Sequence, residues 1–359
     1  MKPPFQTQAN GRTYTVVDAG RSFYEALITG TVVDEVFGDF FNPGFAVQTS
    51  RPDLGVNAAD TGLYAVTGHR GQSFPQITPT TYQVNLVLSA PGFRDSPVQV
   101  TIPPGATFPV PAPVVTMRRL PVLIQGRVVS DTTGAPISAA QVLSVDNPTP
   151  PPHSLATALR LPLYFAHAVG ASAQQVTFTS TGTAPLASDV TGGATVLSLT
   201  TRAGLAAGAV IRLANVSQTL VEYSVVDHLG PGAAASAGEV FLRNALNRTY
   251  LAGTATTVQF GTVAAAGAAV SLTADANAGD GVLIASALIN VTTVAVDQGN
   301  ANEEYHEVGA LTDSDGYYGF EGMGRVVEIY LRASQGASTQ TQDWFVEYDQ
   351  GVNVVDFQL

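Results

Sequence analysis

Ile28-Thr29-Gly30-Thr31-Val32-Val33-Asp34, followed by Gly38 and Phe41, returns 96 positions later as Ile124-Gln125-Gly126-Arg127-Val128-Val129-Ser130, followed by Gly134 and Ile137. Self-similarity at a fixed spacing marks each copy as one folding unit. A second pair lies 254 positions apart: Thr61-Gly62-Leu63-Tyr64-Ala65-Val66-Thr67-Gly68 and Asp315-Gly316-Tyr317-Tyr318-Gly319-Phe320-Glu321-Gly322. Subtracting 96 from 254 leaves 158, so the second copy carries that many extra residues between its first strand and its aromatic strand. Beyond that strand the copies run alike again, Tyr82-Gln83-Val84-Asn85-Leu86-Val87-Leu88 being answered by Val326-Val327-Glu328-Ile329-Tyr330-Leu331.

These runs alternate apolar and polar residues and are rich in Val, Ile, Tyr and Phe, the pattern of half-buried antiparallel strands. Gly62 and Gly316 stand where a tight turn needs positive φ, and Tyr64 and Tyr318 follow at the start of a strand whose inner face fills the core. The whole chain of 359 residues has only 12% charged residues against 45% hydrophobic ones, with 35 Gly and 22 Pro. That is the composition of many short strands joined by turns, in two or three domains each able to bury a core.

The second copy, with its Gly-x-Val-Val, Gly-x-Pro-Ile and Thr312-Asp313-Ser314-Asp315-Gly316-Tyr317-Tyr318-Gly319-Phe320-Glu321-Gly322, resembles the carboxypeptidase-regulatory-like module, a small transthyretin-like β-sandwich. The first copy departs from that motif at Phe40, where it has Pro, and at Thr61, where it has Asp. The resemblance implies an all-β fold of two such modules, the second interrupted by an inserted β-barrel-like domain. Expected boundaries are an N-terminal arm at 1–21, a first sandwich at 22–120, a split second sandwich at 121–146 plus 303–359, and the insert at 147–302.

The insert opens on the stiff run Pro148-Thr149-Pro150-Pro151-Pro152. Its reading is itself repetitive. Gly193 to Thr200 and Ala203 to Leu213 are echoed by Gly267 to Thr273 and Ala276 to Ile284, and each copy ends on a Glu-Tyr step, Glu222-Tyr223 and Glu304-Tyr305. In wording it resembles small β-domains of phage tail and tail-like contractile injection particle proteins.

Reactive centres are scarce. There is no Cys, and the five histidines, His69, His153, His167, His228 and His306, fall in no zinc-peptidase spacing. No nucleophile elbow, phosphate loop or dinucleotide fingerprint occurs. Asp313-Ser314-Asp315-Gly316 opens like a calcium loop, but the twelfth position is Gly324 where Glu is needed, so an Asp-Gly turn is the reading. The acidic groups Glu303-Glu304-Glu307 and Asp343-Glu347-Asp349 read as solvated strand faces. With a net charge of −12 and Lys2 as the single lysine, nucleic acid and anionic membranes are poor partners.

The expectation is a protein without catalytic, metal or cofactor residues, working through surfaces as a component of a phage tail or contractile injection particle at a cap, collar or baseplate periphery. Its partners are then other subunits of a large assembly, with homo-oligomers among them. Carbohydrate or surface binding, with a glycan ligand, is the alternative. The absence of an apolar run of signal-peptide length behind Met1 leads to the expectation of cytoplasmic synthesis. The candidate interaction residues are Tyr14 and Val16, on a strand-like run that an extended arm would add to a neighbouring sheet, and Trp344, Phe345 and Tyr348. Period 2 sends Trp344 and Val346 to one side of their strand and Phe345 and Glu347 to the other.

Overall fold

The computed structural model describes residues 5–9, 12–16, 25–36, 38, 44–69, 80–145, 155–233, 235–347 and 349–359, the first two stretches by their backbone alone. It is nearly all β, one 3-10 turn at Gly253–Ala255 being the only helical element described. The chain divides into two compact units, Met1–Leu120 and Pro121–Leu359.

In the first unit Glu25–Asp34 lies between Leu63–Gly68, which it meets antiparallel, and the parallel pieces Val110–Pro111 and Val115–Met117; Gly55–Ala58 completes that sheet. A second sheet orders Ala46–Thr49, Tyr82–Ser89 and Ser96–Ile102. Alternation puts Ile28, Val32, Tyr64 and Val66 of one sheet and Val84, Leu86, Leu88 and Val100 of the other in the buried set. Phe5–Ala9 and Arg12–Val16 form a separate antiparallel hairpin, so the expected extended arm is instead paired with itself.

The second unit repeats the pattern residue by residue. Ile28↔Val66, Gly30↔Tyr64 and Thr31↔Leu63 in the first unit correspond to Ile124↔Phe320, Gly126↔Tyr318 and Arg127↔Tyr317 in the second. In both copies the tyrosine ring lies across the facing glycine. At Gly126 any Cβ would fall 1.8 Å from the carbonyl oxygen of Val355, the same oxygen that accepts the Tyr318 hydroxyl at 2.6 Å. The glycine is therefore required by the ring and by the chain that crosses behind it. The turns before the aromatic strands hold Gly62 and Gly316 at φ 74 and 82, as their positions in the sequence predict. The other sheet of this sandwich runs Ala310–Leu311, Gln141–Ser144, Glu328–Gln335, Ser338–Phe345.

The insert is a duplication of its own. Its sheet runs Val196–Leu199, Gly238–Leu242, Val221–Leu229, Val210–Asn215, Thr256–Ser271, Ser172–Thr183, Thr293–Val296, Glu304–Glu307. The Leu159↔Val308 bridge and the pair Ala156–Ala158 with Val282–Ile284 continue the same sequence of neighbours. Read from either end, this order has the same pattern. Leu197↔Val240 corresponds to Leu283↔Thr157, Leu213↔Glu222 to Val296↔Glu304, and Leu186↔Leu199 to Leu272↔Ala285. A pseudo-two-fold axis passes where the two central strands meet, at Phe178↔Val263. The sheet curls until Val221–Leu229 and Glu304–Glu307 meet through side chains, Tyr223 Oη donating to Glu307 Oε1 at 2.8 Å. The barrel-like reading holds in that form.

Two expectations need correction. The echo of Gly193–Thr200 is not Gly267–Thr273 but Gly279–Ser286, because small residues recur so often here that a shifted alignment also finds matches; the Glu222 and Glu304 equivalence stands. The second sandwich does not resume at 303. Glu304–Glu307 pairs with Thr293–Val296 inside the insert, and the sandwich returns at Ala310–Leu311.

Gly126→Ala is expected to destabilise the second unit by more than about 2 kcal/mol, since backbone and not a side-chain tip blocks the added carbon. Gly319→Ala, with no atom nearer than 3.6 Å, is expected to change it by less than about 1 kcal/mol. Urea unfolding followed by the fluorescence of Trp344, the single tryptophan of the chain, measures both.

Candidate functional site

Two buried glutamates hold the halves of the insert together in equivalent ways. Glu304 accepts the backbone N–H groups of Tyr164 at 2.7 Å and Phe165 at 3.2 Å. Glu222 accepts those of Asn247 and of Arg248, the latter at 3.3 Å, and the Tyr164 hydroxyl at 2.6 Å. Each carboxylate thus fastens an irregular segment at two adjacent N–H groups, between the isolated bridges that hold the rest of it. The halves differ in what else surrounds the acid. His167 Nε2 lies 2.5 Å from Glu304 Oε1 and His306 Nε2 2.8 Å from Oε2; since a carboxylate only accepts, both imidazoles carry hydrogen on Nε2. Glu222 has the phenols of Tyr164 and Tyr250 beside it instead.

The acids titrate in opposite directions for that reason. Burial raises both. At Glu222 burial wins over the hydrogen bonds, while at Glu304 the hydrogen bonds from His167 and His306, the His306 charge and the Tyr164 N–H outweigh it and hold the carboxyl down to about 2. Burial also pushes the Tyr164 hydroxyl well up. Glu304 and Glu307 are therefore not a solvated face: they are 2% and 8% exposed. What the sequence concealed is that a chain crossing at 160–168 brings His167 to His306; the Glu-Tyr step repeated at 222 and 304 was the available signal. Asp313 Oδ1 accepts the N–H groups of Asp315 and Tyr317, which is the Asp-Gly turn expected. Among the described residues no group of three or more His, Cys, Asp or Glu is arranged to hold a metal ion.

The predicted interaction residues separate. Tyr14 and Val16 sit in the N-terminal hairpin opposite Thr7 and Phe5, with their side chains outside the described structure, and Tyr348 lies outside the described residues altogether. Trp344 turns inward against the sandwich core, its indole N–H donating to Asn353 Oδ1 at 2.9 Å. Asn353 Oδ1 is filled, since it also accepts the Glu347 N–H, and its amide donates to the Glu347 carbonyl. Phe345 points the other way and is 64% exposed, as alternation demands. On the strand carrying Asn353, Val352 and Val354 are exposed too.

Trp344 and Phe345 end Ser338–Phe345, which pairs along its full length with Glu328–Gln335 and has no strand on its other side among the described residues. Edge strands are ordinarily blunted by Lys, Pro, bulges or inward charges. This one has none of the first three, and Asp343 is its single charge. It is a regular eight-residue edge able to accept another strand.

No family model matches the chain, and no curated protein matches it either. Among solved structures, the Bacillus anthracis TIE protein overlaps at 8% identity with a TM-score of 0.21, over 92% of this chain and 49% of that one, so the chain spans about half its length. BcpA, the major pilin subunit of Bacillus cereus, overlaps at 7% identity with a TM-score of 0.19, over 94% of this chain and 99% of that one. Overlaps of this size carry no argument on fold, and the architecture rests on the strand pairing itself.

Glu304→Gln is expected to cost the second unit about 3 kcal/mol at pH 7, by leaving buried imidazole donors without their anion. The folded carboxyl lies below its ordinary 4.5, so its stabilisation is complete above that pH and is lost as the pH falls toward about 2. Chemical unfolding of both proteins between pH 7 and pH 2.5 checks this: the gap between them narrows on acidification.

Proposed function

We propose that the chain is a non-enzymatic structural component of a phage tail or phage-tail-like contractile injection particle, at a terminal or peripheral position, and that it joins its neighbours by strand addition. The observation that carries this reading is the unblunted edge Ser338–Phe345 with Phe345 exposed beside it. A partner strand there gains a ladder of backbone hydrogen bonds, and the exposed ring gives it an apolar anchor. Two further features support it. The titratable side chains around Glu222 and Glu304 are consumed in fastening the fold rather than presented to a substrate. The N-terminal hairpin joins no other sheet among the described residues, and an isolated hairpin is marginal in water without something to pack on. A second reading, carbohydrate binding, draws on a different place, an open cavity in the insert lined by Arg212, Tyr223, Glu307 and Phe178.

The test is recovery of an affinity-tagged chain from its native host, with mass analysis and electron microscopy of the sample. Sheath-like or tube-like subunits in long particles support the assembly role; the chain alone, or with cell-envelope glycans, overturns it. Thr341→Lys, which places a charge in the middle of the edge, is expected to abolish incorporation with the melting temperature unchanged within about 2 °C.

A further inference from the structure

The two halves of the insert have the same backbone and different interiors. Val210↔Val225 in the first half corresponds to Thr293↔Glu307 in the second, and Arg212↔Tyr223 to Ala295↔Tyr305. Across the pseudo-two-fold axis these pairs face one another. On one side Val210, Val225, Ala295 and Tyr305 pack into a single buried cluster. On the other the same four positions are Thr293, Glu307, Arg212 and Tyr223, and there the barrel holds an open cavity of about 380 Å³. Four apolar or aromatic residues suffice to fill this space, so three polar replacements at one end are not demanded by folding.

We propose that this cavity is a binding site for a neutral polyhydroxylated ligand, a saccharide in chemical class. Its volume lies in the range of small-molecule sites, about 300–1,000 Å³. Neutrality follows from the charges. Arg212 Nε is 4.0 Å from Glu307 Oε1, and the Tyr223 hydroxyl bridges them, accepting from Arg212 at 3.2 Å and donating to Glu307 at 2.8 Å. An ionic ligand would have to break that pairing. A ligand with several hydroxyls both donates and accepts, and the walls offer both. Arg212 gives Gln259 one hydrogen bond at 3.1 Å and Gln218 another at 2.7 Å, which with Tyr223 leaves two of its five N–H groups unspent. Thr293 lines the cavity with a hydroxyl where the other half carries Val210, so this polar group is one that the fold does not require. Phe178 stands edge-on to Tyr223 at 5.8 Å and adds a flat apolar wall of the kind the C–H face of a sugar ring packs on.

The site is independent of the edge strand, and one experiment separates them. The purified chain is titrated calorimetrically with maltotriose, cellotriose, tri-N-acetylchitotriose and trigalacturonate, in parallel with Thr293→Val, Arg212→Gln and Thr341→Lys. The expected result is saturable binding of at least one neutral trisaccharide. Binding weakens about tenfold in Thr293→Val and by more in Arg212→Gln, and it is unchanged in Thr341→Lys. Thr293→Val installs the residue that the other half carries at the equivalent Val210, so the melting temperature is expected to stay near the parent value and keeps the test sound if Arg212→Gln fails to fold. No saturable binding by any neutral sugar, preference for trigalacturonate, or equal affinity in Thr293→Val each overturns the proposal.

Discussion

The insert depends on two carboxylates taken out of water. The segments at 160–168 and 243–251 touch the sheet only through isolated bridges, and in each half one glutamate accepts the backbone N–H groups that those bridges leave over, Tyr164 and Phe165 in one and Asn247 and Arg248 in the other. An anion buried without compensation would cost several kcal/mol. Here each accepts two backbone N–H groups plus donors from aromatic side chains, so the burial cost is offset by bonds that also fix where the chain crosses. Glu304 gains two imidazoles and Glu222 phenols, which makes one clamp firmly anionic and the other easier to protonate.

The sandwiches use a different device, steric and not electrostatic. A tyrosine laid over a glycine on the facing strand sets the register in both copies, because any other residue at Gly30 or Gly126 would occupy the ring's place. The copies diverge just beyond. Tyr318 donates to the carbonyl of Val355, while in the first unit the connection between the two parallel pieces, Ala112 to Val114, is one residue longer than Val355 and Asp356, and the Tyr64 hydroxyl has no acceptor among the described residues.

How much of this was legible follows from which interactions are local. The alternation around Ile28, Ile124, Tyr64 and Tyr318, and the opposite facing of Trp344 and Phe345, follow from period 2 and were readable. The second duplication was visible at its Glu-Tyr steps and misplaced elsewhere, since runs of Gly, Ala, Val and Thr match one another in several alignments. The burial of Glu304 and Glu307 and the meeting of His167 with His306 were hidden, because they are made by a segment more than a hundred residues away that carries no motif of its own. The Arg212 and Glu307 pairing was hidden as well, because it joins strands of opposite halves that meet only when the sheet curls.

The split of the second half of the insert has a consequence for the order in which the chain comes off the ribosome. Ala156–Ala158 and the segment through His167 emerge first, yet their partners Val282–Ile284 and Glu304 follow more than 120 residues later, after an entire equivalent half has been made. The first-made strands of one half must therefore wait beside the completed other half, whose strands have the same pattern and whose own clamp accepts a closely related segment. Long-range pairings of this kind are slow and exposed while they wait. The unlike residues at equivalent clamp positions, His167 against Tyr250 and His306 against Ser224, then act as addresses that keep a nascent strand from docking in the wrong half.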